Sequence, residues 1–296
     1  GGGGNAGCIG CVCVDGQKGS GITSPADGIP MGDNFDIDYV AHELGHQFGG
    51  NHTFSHSAEN NAVNVEPGSG STIMGYAGIT GATDVQAHSD DYFAYRSILQ
   101  VQTNLNGKTC PVVTTLTNQA PTMTTAGNFT IPLGTPFILT GSGTDPNGDT
   151  LSYCWEQNND ATTVGAASSY VSPTKTNGPN FRSLDPKSIP VRYMPKLESF
   201  LNNLLTSEWE SVNNNARTSQ FTLTGRDNVA GPGTAGQTGT AACTITTSGT
   251  IGPFNVTSQG TAGISWTQGT NQTITWVTNA TETLAGSTTE IGRAHV

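Results

Sequence analysis

The stretch His42-Glu43-Leu44-Gly45-His46-Gln47-Phe48-Gly49-Gly50-Asn51-His52 constrains this chain more than any other. His42 and His46 are four residues apart, so a helix places them one turn apart on one face. Two imidazole nitrogens then reach one ion at about 2.0–2.1 Å. Gly49 ends the helix, because glycine enters the left-handed region cheaply. The chain turns there, and His52 returns with a third nitrogen. Three protein ligands leave a fourth position for water, which is the catalytic rather than the structural zinc arrangement. Glu43 adjoins the first ligand, where its carboxylate can exchange a proton with an activated water without being a ligand. The bland alternative is a helix with surface histidines and an unrelated later His. Five fixed residues, three of them a rare type, argue against it.

The flanks set the expected elements. Residues 1–35 are glycine-rich, with a short β-like run at Ile9–Val14 and a second near Gly21–Thr23. Asn34 and Asp36 are credible N-caps for a helix over 36–48. Ile37, Val40, Ala41, Leu44 and Phe48 form its apolar stripe. A polar loop follows from Ser55 to Ser71. Ser89 then caps a second helix, about Asp90 to Leu105, stopped by Gly107. Asp90 and Asp91 sit in its first turn, where acid suits the dipole, and take no catalytic part. His56 and His88 lie outside the histidine motif and are read as solvated or structural.

Downstream of the loop, Ser71-Thr-Ile-Met74-Gly-Tyr76 has the pattern of a Met-turn, a tight loop whose methionine packs beneath a zinc site. Met74 is read as that floor and not as a ligand. With His42, Glu43, His46, Gly49, His52 and Met74, the sequence resembles the metzincin metallopeptidases, most closely the bacterial reprolysin-like group. The resemblance covers residue 1 to about 110. It implies a zinc-dependent metalloendopeptidase with one catalytic zinc, an α+β fold and a cleft between an upper β-subdomain and a lower helical one. Extended protein or peptide substrates would lie along an edge strand, placed near Gly19–Thr23. Glu43 would act as general base on a zinc-activated water. Tyr76 is either a hydrogen-bond donor to the oxyanion, by analogy with astacins, or a buried aromatic of the Met-turn. Two positions depart from the reprolysin pattern. Thr53 stands where Asp is usual after the third His, and Tyr76 follows Met74 as in astacins and serralysins. Only 41 residues precede His42, so the resemblance implies an N-terminally truncated catalytic domain over 1–112.

Past Cys110-Pro111 the pattern changes to short strands between turns, with a boundary near residue 118. Strands are expected at 129–131, 136–140, 151–155 and 220–224, and a long insertion at about 158–217 with a short helix at 197–205. Gly is 39 of 296 residues, Pro is 15, and only 11% are charged, which suits β-modules better than helices. The reading is multidomain: an immunoglobulin-like all-β sandwich over 119–230, a glycine-rich linker at 230–239, and the start of a second, truncated β-module over 240–290 with strands at 243–245 and 273–277. The closing hexapeptide 291–296 reads as a non-native tail. Asp145, Asn147 and Asp149 alternate as calcium ligands do, but Asn-Gly with flanking Asp is turn chemistry, and the turn is favoured.

The net charge of −11, with 22 acidic and 11 basic residues, repels a phosphate backbone and excludes nucleic acid as a partner. No apolar run is long enough to span a membrane. Six cysteines allow three disulfides and suit a secreted or cell-surface protein. One of Cys8, Cys11 and Cys13 is expected to pair with Cys110. The rival to the peptidase is an adhesive, β-module binding protein with a vestigial peptidase part. Intact His42, Glu43, His46 and His52 speak against it.

Overall fold

The computed structural model describes residues 3–59, 61–230, 235–258 and 260–285. The hexapeptide 291–296 lies outside them, as does part of the 230–239 linker.

The N-terminal third opens with β1 (Gly3–Asn5), paired antiparallel with β2 (Ile22–Ser24). The Ile9–Val14 run is not a strand. A Cys8–Cys11 disulfide holds Cα atoms 6.0 Å apart, whereas three residues of extended chain span about 10 Å. This loop instead caps the zinc-motif helix. Gly10 and Val12 donate N–H bonds to the carbonyls of His46 and Gln47, at 2.8 and 3.0 Å. Cys13 pairs with Cys110, so the start of the region is tied to its end.

Three helical pieces follow without a break: α1 (Asp33–Phe35), a π-helical stretch (Asp36–Ala41) and α2 (His42–Phe48). The run begins after Gly32, so Asn34 and Asp36 lie inside it and do not cap it. Gly49, at φ 113°, ends it in the left-handed region. The buried face of α2 is His42, Gly45 and His46, whereas Leu44 of the expected apolar stripe is 50% exposed.

The second helix, α3 (Tyr95–Asn106), starts five residues later than the sequence pattern suggests. The Ser89 N–H is taken by Asp38 Oδ1 at 2.8 Å, and the Asp90 N–H by the Ser71 carbonyl at 2.7 Å. Those bonds hold residues 89–90 in a loop, so Asp90 and Asp91 are not in a helical first turn. The first amide of α3, that of Tyr95, donates to the Glu156 carboxylate at 3.1 and 3.2 Å.

The rest of the chain is mainly strands. β3 (Thr122–Thr125), β5 (Phe137–Thr144) and β7 (Val191–Met194) form an antiparallel sheet in the order β3-β5-β7. β4 (Phe129–Ile131), β9 (Thr238–Thr247), β8 (Arg217–Arg226) and β6 (Ser152–Gln157) form a second, in the order β4-β9-β8-β6. Met123, Leu139 and Met194 of the first pack against Trp155, Phe221, Leu223 and Ile245 of the second in one apolar cluster. Two expectations change here. The 158–217 segment supplies β7 besides the short helices α4 (Ala166–Ser169) and α5 (Leu197–Leu201). β9 pairs with β8 along its whole length, so residues 240–247 complete this β-unit instead of opening a second module. Both strands of that sheet bury alternate apolar residues, which is what draws β9 in. Beyond it, β10 (Asn255–Val256) pairs with β11 (Trp276–Val277).

The β-unit is seated on the N-terminal region. In β6 the core takes Trp155, and the opposite face, Cys154 and Glu156, is covered by Tyr92 and α3, so four consecutive residues are buried. Arg226 donates to the Phe93 carbonyl at 2.8 Å and lies over the Tyr92 ring. The Tyr92 hydroxyl donates to the Leu184 carbonyl, and the Asn64 amide to Asp160.

Candidate metal centre

α2 carries His42 and His46 on its buried face, and the turn at Gly49–Gly50 brings His52 opposite them. The three Nε2 atoms are 3.0, 3.1 and 3.2 Å apart. Each Nδ1 is tied to an oxygen acceptor: His42 to the Ile73 carbonyl at 2.7 Å, His46 to the Gly50 carbonyl at 2.7 Å, and His52 to Glu59 Oε2 at 2.6 Å. An oxygen acceptor there requires the proton on Nδ1, so three Nε2 lone pairs face one point. Burial first, then the neighbouring imidazoles, pulls His42 and His52 down to about 3, and burial also lowers His46. The rings are neutral at pH 7. Three converging bare lone pairs repel one another unless a cation sits among them. Tetrahedral zinc at about 2.05 Å requires nitrogens about 3.3 Å apart, and outer-nitrogen acceptors are the usual second layer of such a site. The residues therefore fit zinc. Among the described residues, this triad is the one cluster of three or more His, Cys, Asp or Glu side chains that could hold a metal ion.

Met74 is fully buried beneath α2. A Cβ at Gly45 would overlap its sulfur and come within 3.0 Å of Phe93, so the fourth motif position must be glycine. The Thr53 amide donates to the Met74 carbonyl at 3.0 Å. Tyr76 stands with its ring 4.4 Å from that of His52 and 5.6 Å from that of His42. Burial, then Glu59 and Glu43, pushes its hydroxyl up to about 12.

His42 of the triad faces a cleft of about 500 Å³ lined also by Glu43, Tyr76, Gly3, Gly4 and His88. Glu43 is half-buried, and desolvation raises its carboxyl above the usual range against a lowering bond from the Ala6 backbone. Its carboxylate presses on β1, where a Cβ at Gly4 would collide with it. The cleft edge is thus β1. Residues 19 and 21–23 line an apolar groove with Val40, Leu44 and Phe48, and Glu43 lines this groove as well.

Other sequence candidates fall elsewhere. His56 packs on Phe54 at 4.6 Å, and His88 donates to Asp38 at 3.0 Å on the cleft rim. Asp145 Oδ1 accepts the amides of Asn147 and Asp149, at 2.8 and 3.1 Å, and Gly148 has φ 84°. That is the turn, with Asp145 Oδ1 spent on backbone amides. The sequence pattern misses Glu59 and Glu66, because acids in a polar loop carry no periodic signal.

Residues 1–105 match the family model of metallo-peptidase family M12B, reprolysin-like. This match and the histidine triad fit a metzincin-type zinc metallopeptidase. No curated protein and no solved structure matches the chain. The histidine triad lies within the matched residues, and no helix among the described residues is long and apolar enough to cross a membrane.

Proposed function

We propose that the chain is a zinc-dependent endopeptidase acting on extracellular proteins, with Glu43 as its proton carrier. The observation that carries this is the convergence of three unprotonated Nε2 atoms beside a cleft that His42 and Glu43 both line. His42, His46 and His52 hold the metal. A bound zinc ion supplies Lewis-acid activation of water and of the scissile carbonyl. Glu43 accepts the proton of the attacking water and returns it to the leaving amine. Its raised pKa suits both halves, since a carrier nearer neutrality gives and takes with less loss. Tyr76 keeps its proton far above pH 7 and donates a hydrogen bond to the developing oxyanion. The substrate extends beside β1, where backbone groups add main-chain bonds.

The Cys8–Cys11 and Cys13–Cys110 bridges favour an oxidising compartment, hence a secreted or cell-surface protein. Two sheets around one core favour an immunoglobulin-like reading of the β-unit. The intact triad, with every outer nitrogen held, weighs against a vestigial peptidase.

Metal analysis is expected to find one zinc per chain, lost in His46→Ala. Glu43→Gln is expected to retain zinc and lower casein hydrolysis by about 10²–10⁴-fold. A near-normal rate in that variant would place the proton carrier elsewhere.

A further inference from the structure

Glu66 is 1% exposed, and none of the ion pairs among the described residues includes it. Its carboxylate is held by hydroxyls and amides alone. Oε2 accepts the Thr53 and Thr72 hydroxyls, each at 2.6 Å. Oε1 accepts the Ser71 and Thr72 amides at 3.1 and 3.3 Å. The Glu66 amide donates to the Thr53 carbonyl at 3.0 Å. Burying an anion without a cation is costly unless its acceptor capacity is filled, and here it is filled from two segments. One is Thr53, directly after the third histidine. The other is Ser71-Thr72, directly before Ile73, whose carbonyl fixes His42, and Met74, which floors α2. No other side chain bonds both segments among the described residues.

We propose that Glu66 is a positioning residue of the metal centre: its carboxylate sets the distance between the His52 segment and the Met-turn, and so keeps His52 Nε2 in register with His42 and His46. It never touches the metal or substrate. Thr53 is the partner that makes this possible, since a hydroxyl after His52 can donate to a carboxylate arriving from elsewhere in the chain. This rests on the reading of the triad as a zinc site.

The test compares zinc affinity, by competition with a chromophoric chelator, and the visible spectrum of the cobalt-substituted protein. Glu66→Gln keeps the volume but replaces one acceptor oxygen with a donor. Its zinc affinity is expected to fall about 10–100-fold, the usual cost of losing an outer-layer partner, with a changed cobalt spectrum. Glu156→Gln alters another buried carboxylate that has no bond to the Met-turn or the His52 segment, and is expected to leave both readouts as in wild type. Wild-type affinity and spectrum in Glu66→Gln would overturn the proposal. Should that variant not fold, Thr53→Val removes one donor at nearly constant volume. Weakened zinc binding there supports the proposal, and unchanged binding overturns it. Equal losses in Glu66→Gln and Glu156→Gln would mean general destabilisation and also overturn it. A wild-type protein that binds no zinc would sink the metal-centre reading itself, and this inference with it.

Discussion

Glycine at position 45 shows how much one side chain can decide. The histidine spacing is legible without it, yet α2 approaches Met74 only because no Cβ intervenes. Gly45→Ala is expected to cost about 1–3 kcal/mol, the usual range for overpacking a filled core. Because the strain falls between the two metal histidines, zinc affinity should drop as well. Thermal melts with and without zinc check both, and a melt unchanged from wild type would show that Met74 has room to move. The same scale explains what sequence reading does not reach. Gly49 and His52 announce themselves by their spacing from the helix that carries His42 and His46. Glu59 and Glu66 are placed by a loop, and nothing in the local pattern separates them from solvated acids.

At the scale of elements, α3 depends on a strand more than 50 residues away. Its first amide is capped by Glu156, on the outer face of β6. Burial first of all pushes the Glu156 carboxyl up from 4.5 to about 7, against the lowering effect of Arg226 and the Tyr95 bond. The folded state thus binds this proton more tightly than the unfolded chain. Between about pH 4.5 and 7 the folded protein holds more protons, so stability falls as pH rises, and the full penalty applies above about 7. Glu156→Gln removes it. The stability of that variant relative to wild type should therefore rise by about 2–3 kcal/mol from pH 5 to pH 8, following the shift of about 2.5 in pKa. Urea unfolding at the two pH values measures this, and a pH-independent difference would refute it. The late start of α3 has the same source. Ser89 and Asp90 are adequate helix starters by composition, but their amides are claimed by Asp38 and Ser71.

Across the whole molecule, the N-terminal region that carries the histidine triad and the β-unit share buried polar contacts. The Ser71 hydroxyl donates to the Ser183 carbonyl at 3.2 Å, the Gly68 amide to Ser169 at 3.3 Å, and Trp209 packs on Gly68. These contacts fall on the Met-turn and the loop that leads to it. Residues 1–112 expressed alone are expected to melt at lower temperature and bind zinc more weakly than the full chain. Equal melting temperature and zinc affinity in the two would make the β-unit a mere appendage. The Cys13–Cys110 bridge spans 97 residues of sequence. Opening it with Cys13→Ser and Cys110→Ser together should cost about 3–5 kcal/mol, as loop-closure entropy predicts for a loop of that size. Denaturant titration of the double variant reads this directly.

The features legible in the order of residues are local and periodic. Ligand spacing, the glycine stop, the methionine loop and the alternation of most strands follow from geometry repeated every 3.6 or 2 residues, and each needs only its near neighbours. Everything that depends on which surfaces meet comes from the folded arrangement. It brought Gly3 and Gly4 of β1 to the cleft beside His42 and Glu43, which no local pattern announces. It drew β9 into the first β-unit, since an exposed edge of β8 is satisfied only by a partner strand. It buried both faces of β6, where a strand pattern alone allows one. It also brought Glu66 between Thr53 and Ser71-Thr72. A carboxylate is tolerated there only because four donors from two separate segments converge on it, and that convergence exists in no stretch of sequence.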